Sequence, residues 1–174
     1  MNKNNNLGFT LTELLITIAI IGTVASMAVP SFQSMIERNR LKEVAEGLKS
    51  DLMFARTEAI KLSQNIIVNR VTGNNGTWFY GMSTVACDAA EAVTTEIDFC
   101  ALKRVLGSSF SNKVNMDAAV TNNSTFSFRR GTIGANGVTF STSNYSLRIV
   151  FSDVGRVRLC IPAGATAIGG YDAC

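Results

Sequence analysis

From Phe9 to Pro30 the chain reads FTLTELLITIAIIGTVASMAVP, an apolar run carrying a single charge, Glu13. A helix needs about 20 such residues to cross the hydrocarbon of a bilayer, so this run predicts a transmembrane helix. It also removes much of the apolar content from any soluble core. Hydrophobic residues make up 47% of the 174, and what remains suffices for one core, which predicts one globular domain behind one anchor. The preceding MNKNNNLG is short and polar with one basic residue, and no small-residue cleavage site follows the run, which argues against an ordinary secretory signal peptide. A carboxylate inside a membrane helix costs roughly 2.5 to 3.5 kcal/mol on insertion scales, so Glu13 requires a partner or a function.

The stretch GFTLTELL, with Gly8, Phe9 and Glu13 in those relations, resembles the processing motif of type IV pilins and type II secretion pseudopilins. The resemblance implies a leader, residues 1–8, cut after Gly8 by a prepilin peptidase, and N-methylation of the new Phe9 amine. It further implies a membrane segment over 9–30, with residues 31–174 as the periplasmic pilin domain. The chain would sit as a single-pass protein in the inner membrane before assembly and reach the cell surface in a filament of other pilins. Glu13 would then pair with the N-terminal amine of a neighbouring subunit. Thr12 stands where the motif more often has an apolar residue.

Beyond Pro30, Leu41, Val44, Ala45, Leu48, Leu52, Ala55, Ala59 and Leu62 recur at steps of three and four, with Arg40, Glu43, Lys49, Asp51 and Lys61 between them. This spacing predicts an amphipathic helix continuing the membrane helix, its apolar stripe laid on a sheet. Pro30 predicts a kink. After Ile66 the pattern changes to short β-rich runs between Gly, Asn and Ser: NIIVNRV, TWFYGMSTV, ALKRVL, STFSFRR, GVTFST, YSLRIVFS and RVRLCIP. Such runs predict an antiparallel sandwich or paired sheets, hence an α+β fold.

The sequence contains no histidine, which removes the commonest general base and metal ligand. No nucleophile and base pair and no Walker or Rossmann phosphate loop is evident, so neither catalysis nor a cofactor is expected. Cys87, Cys100, Cys160 and Cys174 form an even set without a C-x-x-C pair, which in an exported chain suggests disulfides. Of three connectivities, Cys87 with Cys100 and Cys160 with Cys174 close short loops, each worth about 3 kcal/mol in the loop-entropy model. Between the first pair, Asp88, Glu91, Glu96 and Asp98 read as an exposed acidic loop. They lack the ligand spacing of an EF-hand, and no metal site is assigned.

Residues 101–174 carry eight Lys/Arg against three Asp/Glu, whereas residues 1–100 carry eight against ten. The basic excess is therefore C-terminal. YSLRIVFS and RVRLCI, joined through Asp153, Val154 and Gly155, predict a β-hairpin. Alternation sends Tyr145, Leu147, Ile149, Phe151, Val157, Leu159 and Ile161 to the core and leaves Arg148, Arg156, Arg158 and Cys160 facing outward. Strand residues two apart are separated by roughly 6.6 Å, a spacing that suits neighbouring phosphates. If Cys160 pairs with Cys174, the tail AGATAIGGYDAC is drawn over that face and walls a groove, with Tyr171 as a stacking surface. Lys103, Arg104, Arg129 and Arg130 add basic positions.

DLMFARTEAI followed by NIIVNRV, the pair Trp78 and Gly81, and the closing GRVRLC resemble the FimT/GspH family of minor pilins and pseudopilins over most of residues 8–162. FimT proteins carry a G-R-x-R motif that binds DNA in natural transformation, and Gly155, Arg156, Val157 and Arg158 match it. The resemblance implies sequence-independent DNA binding through phosphates, with no base-reading module in the chain. The alternative is a structural minor pilin or GspH-like pseudopilin that does not touch DNA.

Overall fold

The computed structural model describes residues 9–87, 100–117, 123–134 and 136–174. Gly8 and the acidic residues Asp88, Glu91, Glu96 and Asp98 lie outside that set. One helix, α1 (Leu11–Leu62), runs through Pro30 without interruption. The chain divides after Ile36 into two compact units.

In the first unit the apolar residues are exposed, and an 18-residue window of mean hydropathy 2.0 has none of its residues buried. Three of its hydroxyls return to the helix's own backbone. Thr17, Thr23 and Ser26 donate to the carbonyls of Leu14, Ile20 and Thr23 at 2.8, 2.8 and 2.7 Å. Lipid offers no partner to a polar group, and this return to the helix's own backbone makes such side chains tolerable.

The second unit is Glu37–Cys174. Here α1 buries the expected stripe from Leu41 to Ala59, while Leu62, expected in the same stripe, is 42% exposed. The helix ends there. Ser63 takes a φ of 53°, its N–H reaches the Ile60 carbonyl, and the Gln64 N–H reaches that of Ala59. This is a Schellman stop with serine in the left-handed position usually held by glycine.

Eight strands follow among the described residues: β1 (Ile66–Val71), β2 (Phe79–Ser83), β3 (Lys103–Leu106), β4 (Asn115–Asp117), β5 (Asn123–Phe126), β6 (Asn136–Ser141), β7 (Ser146–Phe151) and β8 (Val157–Cys160). They form two four-stranded antiparallel sheets in the orders β3-β2-β1-β5 and β4-β6-β7-β8. Seven strands fall on the predicted runs. The three-residue β4, pairing with β6 from Asn115 to Asp117, carries too short a pattern to stand out.

The helix stripe and the inward faces of both sheets share one core, centred on Trp78. Its indole donates to the Val114 carbonyl at 2.8 Å and stacks on Tyr80 and Phe110. Gly107 is the residue that admits it, since a Cβ there would lie 2.6 Å from the indole ring.

Among the described residues, two buried charges depart from the polar-outside pattern. Asp51, read as part of the helix's polar face, is only 6% exposed. It accepts from Tyr80 Oη at 2.8 Å and Lys103 Nζ at 2.5 Å. Burial, then the Asp51 charge, pushes the Tyr80 hydroxyl far above its usual range. Arg70 is fully buried, lies over the Phe151 ring at 5.3 Å and donates to Ser124 Oγ at 2.7 Å. Burial pushes its guanidinium down to about 10. Both cystine bridges pair as expected, Cys87 with Cys100 and Cys160 with Cys174.

Candidate nucleic-acid interface

The β7–β8 hairpin is closed by two backbone bonds at Ser152. Ser152 N–H donates to the Arg156 carbonyl at 3.0 Å, and Gly155 N–H donates to that of Ser152 at 2.8 Å. Gly155, at φ +76°, completes a three-residue loop of the kind in which the last position is left-handed. A Cβ there would also sit 2.3 Å from the Gly131 carbonyl oxygen. The motif glycine is therefore a backbone requirement of the fold. From it the chain emerges as Arg156, exposed, then Val157, half-buried, then Arg158, exposed. Val157 and Leu159 pack against the core while the arginines face away from it.

These arginines meet α1. Arg158 lines a cleft of about 690 Å³ with Lys42, Lys49, Ser50 and the tail residue Tyr171. Arg156 lines a second cleft, of about 820 Å³, with Arg56, Lys61 and an apolar wall. Met53 borders both, so the two clefts adjoin along the seam between α1 and β8. Lys42, Lys49 and Arg56 follow each other at seven-residue steps, which keeps them on one helix face over roughly 21 Å. Arg56 Nη1 donates to the Gly155 carbonyl at 3.3 Å, fixing the hairpin turn to the helix.

The tail does wall the first cleft, held by the Cys160–Cys174 bridge and by backbone bonds of Ile161 to Asp172 and Cys174. Tyr171 is not a free stacking surface. Its hydroxyl donates to Glu46, and Lys42 Nζ stands 5.4 Å from its ring centre. Burial, then the Glu46 bond, pushes that hydroxyl up to about 12. Arg158 Nη2 makes a long contact, 3.5 Å, to the Cys174 carbonyl.

Arg148 is not beside the other two. It shares the outward face, opposite Cys160 in register, but its guanidinium lies across β6, where Gly137 leaves room for it, and its Nε is buried. An arginine next to a glycine on the neighbouring strand lays its stem in the gap instead of extending into water. Lys103 and Arg104 belong to β3, the edge of the other sheet, and Lys103 is engaged by Asp51. Arg129 and Arg130 are exposed in the turn after β5, which ends at Gly131 against Gly155. That places their turn at the hairpin end of the seam. Arg129 itself lies over the Phe128 ring. The helix cations Lys42, Lys49 and Arg56 were missed in the sequence reading, and their seven-residue period is the signal that marks them.

Comparison with known proteins bears on the identity of such a chain. The prokaryotic N-terminal methylation motif matches residues 3–29, and the family of type II transport protein GspH matches residues 44–164. The chain belongs to the GspH family. Among curated relatives, a fimbrial protein of Moraxella nonliquefaciens is 46% identical over 56 residues, 30% of this chain and 36% of the relative. The type IV major fimbrial protein FimA of Dichelobacter nodosus is 31% identical over 86 residues, 48% of this chain and 53% of the relative. The matches thus span about a third to a half of these relatives. The crystal structure of the Pseudomonas aeruginosa minor pilin FimU shares the fold, with a TM-score of 0.52 and 18% identity over 72% of this chain and 91% of that one. This GspH-family chain is thus a pilin-like protein with a membrane-anchoring N-terminal helix.

At the N-terminal end, Thr10 and Glu13 cap α1 reciprocally. Glu13 N–H donates to Thr10 Oγ1 at 3.2 Å, and Thr10 N–H donates to Glu13 Oε2 at 3.3 Å. This capping box gives the membrane carboxylate a partner within its own chain, which the T-x-x-E spacing announces. Phe9 is 85% exposed.

Proposed function

We propose that this chain is a minor type IV pilin that binds extracellular DNA without sequence preference along the α1–β8 seam and contributes to DNA uptake in natural transformation. The observation that carries the proposal is the convergence of Arg156 and Arg158 with Lys49 and Arg56 across two adjoining clefts. The side chains of Lys49 and Arg156 have no ion-pair or hydrogen-bond partner among the described residues. Clustered cations repel one another and are stabilised by a polyanion, whose condensed counterions are released on binding. Glu46 tempers the first cleft, where it is held by Tyr171. The match of Gly155 to Arg158 with the G-R-x-R motif of FimT proteins supports the same reading.

The N-terminal motif supports cleavage after Gly8 by a prepilin peptidase, N-methylation of Phe9, and transfer of Glu13 from its Thr10 cap to a neighbouring subunit's amine on assembly. A second reading, a GspH-like pseudopilin that assembles without DNA, is favoured by the family match itself. The two separate in one experiment on the full chain in detergent micelles. Arg156→Gln with Arg158→Gln is expected to weaken binding of a short labelled duplex by at least about tenfold at low salt, with the unfolding midpoint unchanged. Unchanged affinity, or no binding by the parent chain, rejects the DNA reading.

A further inference from the structure

The second cleft differs from the first in its wall. Met53, Ile60 and Val154 are 57%, 55% and 66% exposed, and they lie between Arg56, Lys61 and Arg156. Val154 occupies the tip of the hairpin loop, a position that turn chemistry ordinarily gives to a polar residue. Ile60 closes the last turn of α1 beside Gly131, whose Cβ would lie 3.3 Å from its Cδ1. Neither residue contributes to the core. Duplex DNA presents phosphate and sugar to a groove like this and would gain nothing from an apolar wall. A single strand presents unpaired base faces on one side of a phosphate line, and its needs match both halves of the cleft.

Resting on the DNA reading above, we infer that the cleft between the end of α1 and the hairpin loop is a single-strand site. Arg56, Lys61 and Arg156 take successive phosphates at its rim, and bases pack on Met53, Ile60 and Val154. Lys61, its side chain 69% exposed against 14% for Glu58, reaches the phosphates by leaving that i,i+3 pair, whose stabilisation is modest on the solvent side. The first cleft, polar and carrying Lys42, Lys49 and Arg158, takes phosphates of either strand state. The seam as a whole then binds duplex through its cations and grips an unpaired strand more tightly at one end.

The test compares three probes of equal length on the full chain in detergent: oligothymidylate, an abasic strand and a duplex. The parent chain is expected to hold oligothymidylate about tenfold tighter than the abasic strand at one salt concentration, the gain of packing base surface on an apolar wall. Ile60→Ser with Val154→Ser is expected to erase that difference while leaving duplex affinity and its salt dependence intact. Equal affinities of the parent for oligothymidylate and the abasic strand overturn the inference, and salt-dependent duplex binding then keeps the DNA reading standing. Absence of salt-dependent binding to any probe overturns both. A variant that loses self-association on gel filtration but keeps the preference for oligothymidylate assigns the cleft to a second copy of the chain and also overturns it.

Discussion

Replacing Gly155 by alanine separates the two roles joined in the sequence Gly155-Arg156-Val157-Arg158. Two costs add. A residue with a Cβ held at a φ of +76° is disfavoured by roughly 1 to 2 kcal/mol. The new Cβ would stand 2.3 Å from the Gly131 carbonyl oxygen, which no soft side chain can relieve, and shifting two backbones costs roughly a further 1 to 3 kcal/mol. Gly155→Ala should therefore destabilise the unit Glu37–Cys174 by about 2 to 5 kcal/mol. The sole tryptophan, Trp78, is buried at the centre of that unit, so its fluorescence through a urea titration reports the loss. Arg156→Gln and Arg158→Gln, both at exposed positions, should stay within about 0.5 kcal/mol of the parent. A Gly155→Ala chain with the parent's midpoint would refute the placement of the hairpin against the turn at Gly131.

Three further outcomes follow from the same geometry. Cys160→Ser with Cys174→Ser should lower stability by about 3 kcal/mol and weaken duplex binding, because the tail no longer walls the cleft at Arg158; a Trp78 fluorescence titration and an anisotropy measurement check the two parts. Asp51→Asn keeps a partner for Tyr80 but removes the charge that Lys103 faces, and should cost about 1 to 2 kcal/mol, reduced from the buried-pair value because the Lys103 side chain is 43% exposed. Glu37 is partly desolvated, which raises its pKa, but bonds from Asn144 and Thr142 outweigh this and hold it below 4.5; its contribution is present above that value and lost as pH falls through the folded one, so acid unfolding of Glu37→Gln should show a shallower fall below pH 4.5 than the parent.

The long helix, its apolar stripe, the cystine pairs and seven strands were legible because each is carried by a local period, a spacing or a turn residue. Asp51 and Arg70 were not legible as buried groups, because a charge among polar neighbours reads as solvated until the tertiary partners Tyr80, Lys103, Ser124 and Phe151 are in place. The seam shows the same limit. Alternation placed Arg156 and Arg158 away from the core, but their meeting with Lys49 and Arg56 spans about a hundred residues of sequence, and only packing of β8 along α1 brings them together. Arg148 went the other way, since its fate depended on a glycine in a neighbouring strand.

If the seam binds DNA through phosphates, its affinity for a short duplex must fall steeply as salt rises. Of the six cations lining the seam, Lys42 is bonded to the Gly169 carbonyl and Lys61 is paired with Glu58; the other four, Lys49, Arg56, Arg156 and Arg158, predict a duplex slope of log K against log salt between about −3 and −4, shallower by about two when both hairpin arginines are replaced by glutamine. A flat dependence in the parent chain, or a slope that survives loss of both arginines, would contradict binding through phosphates.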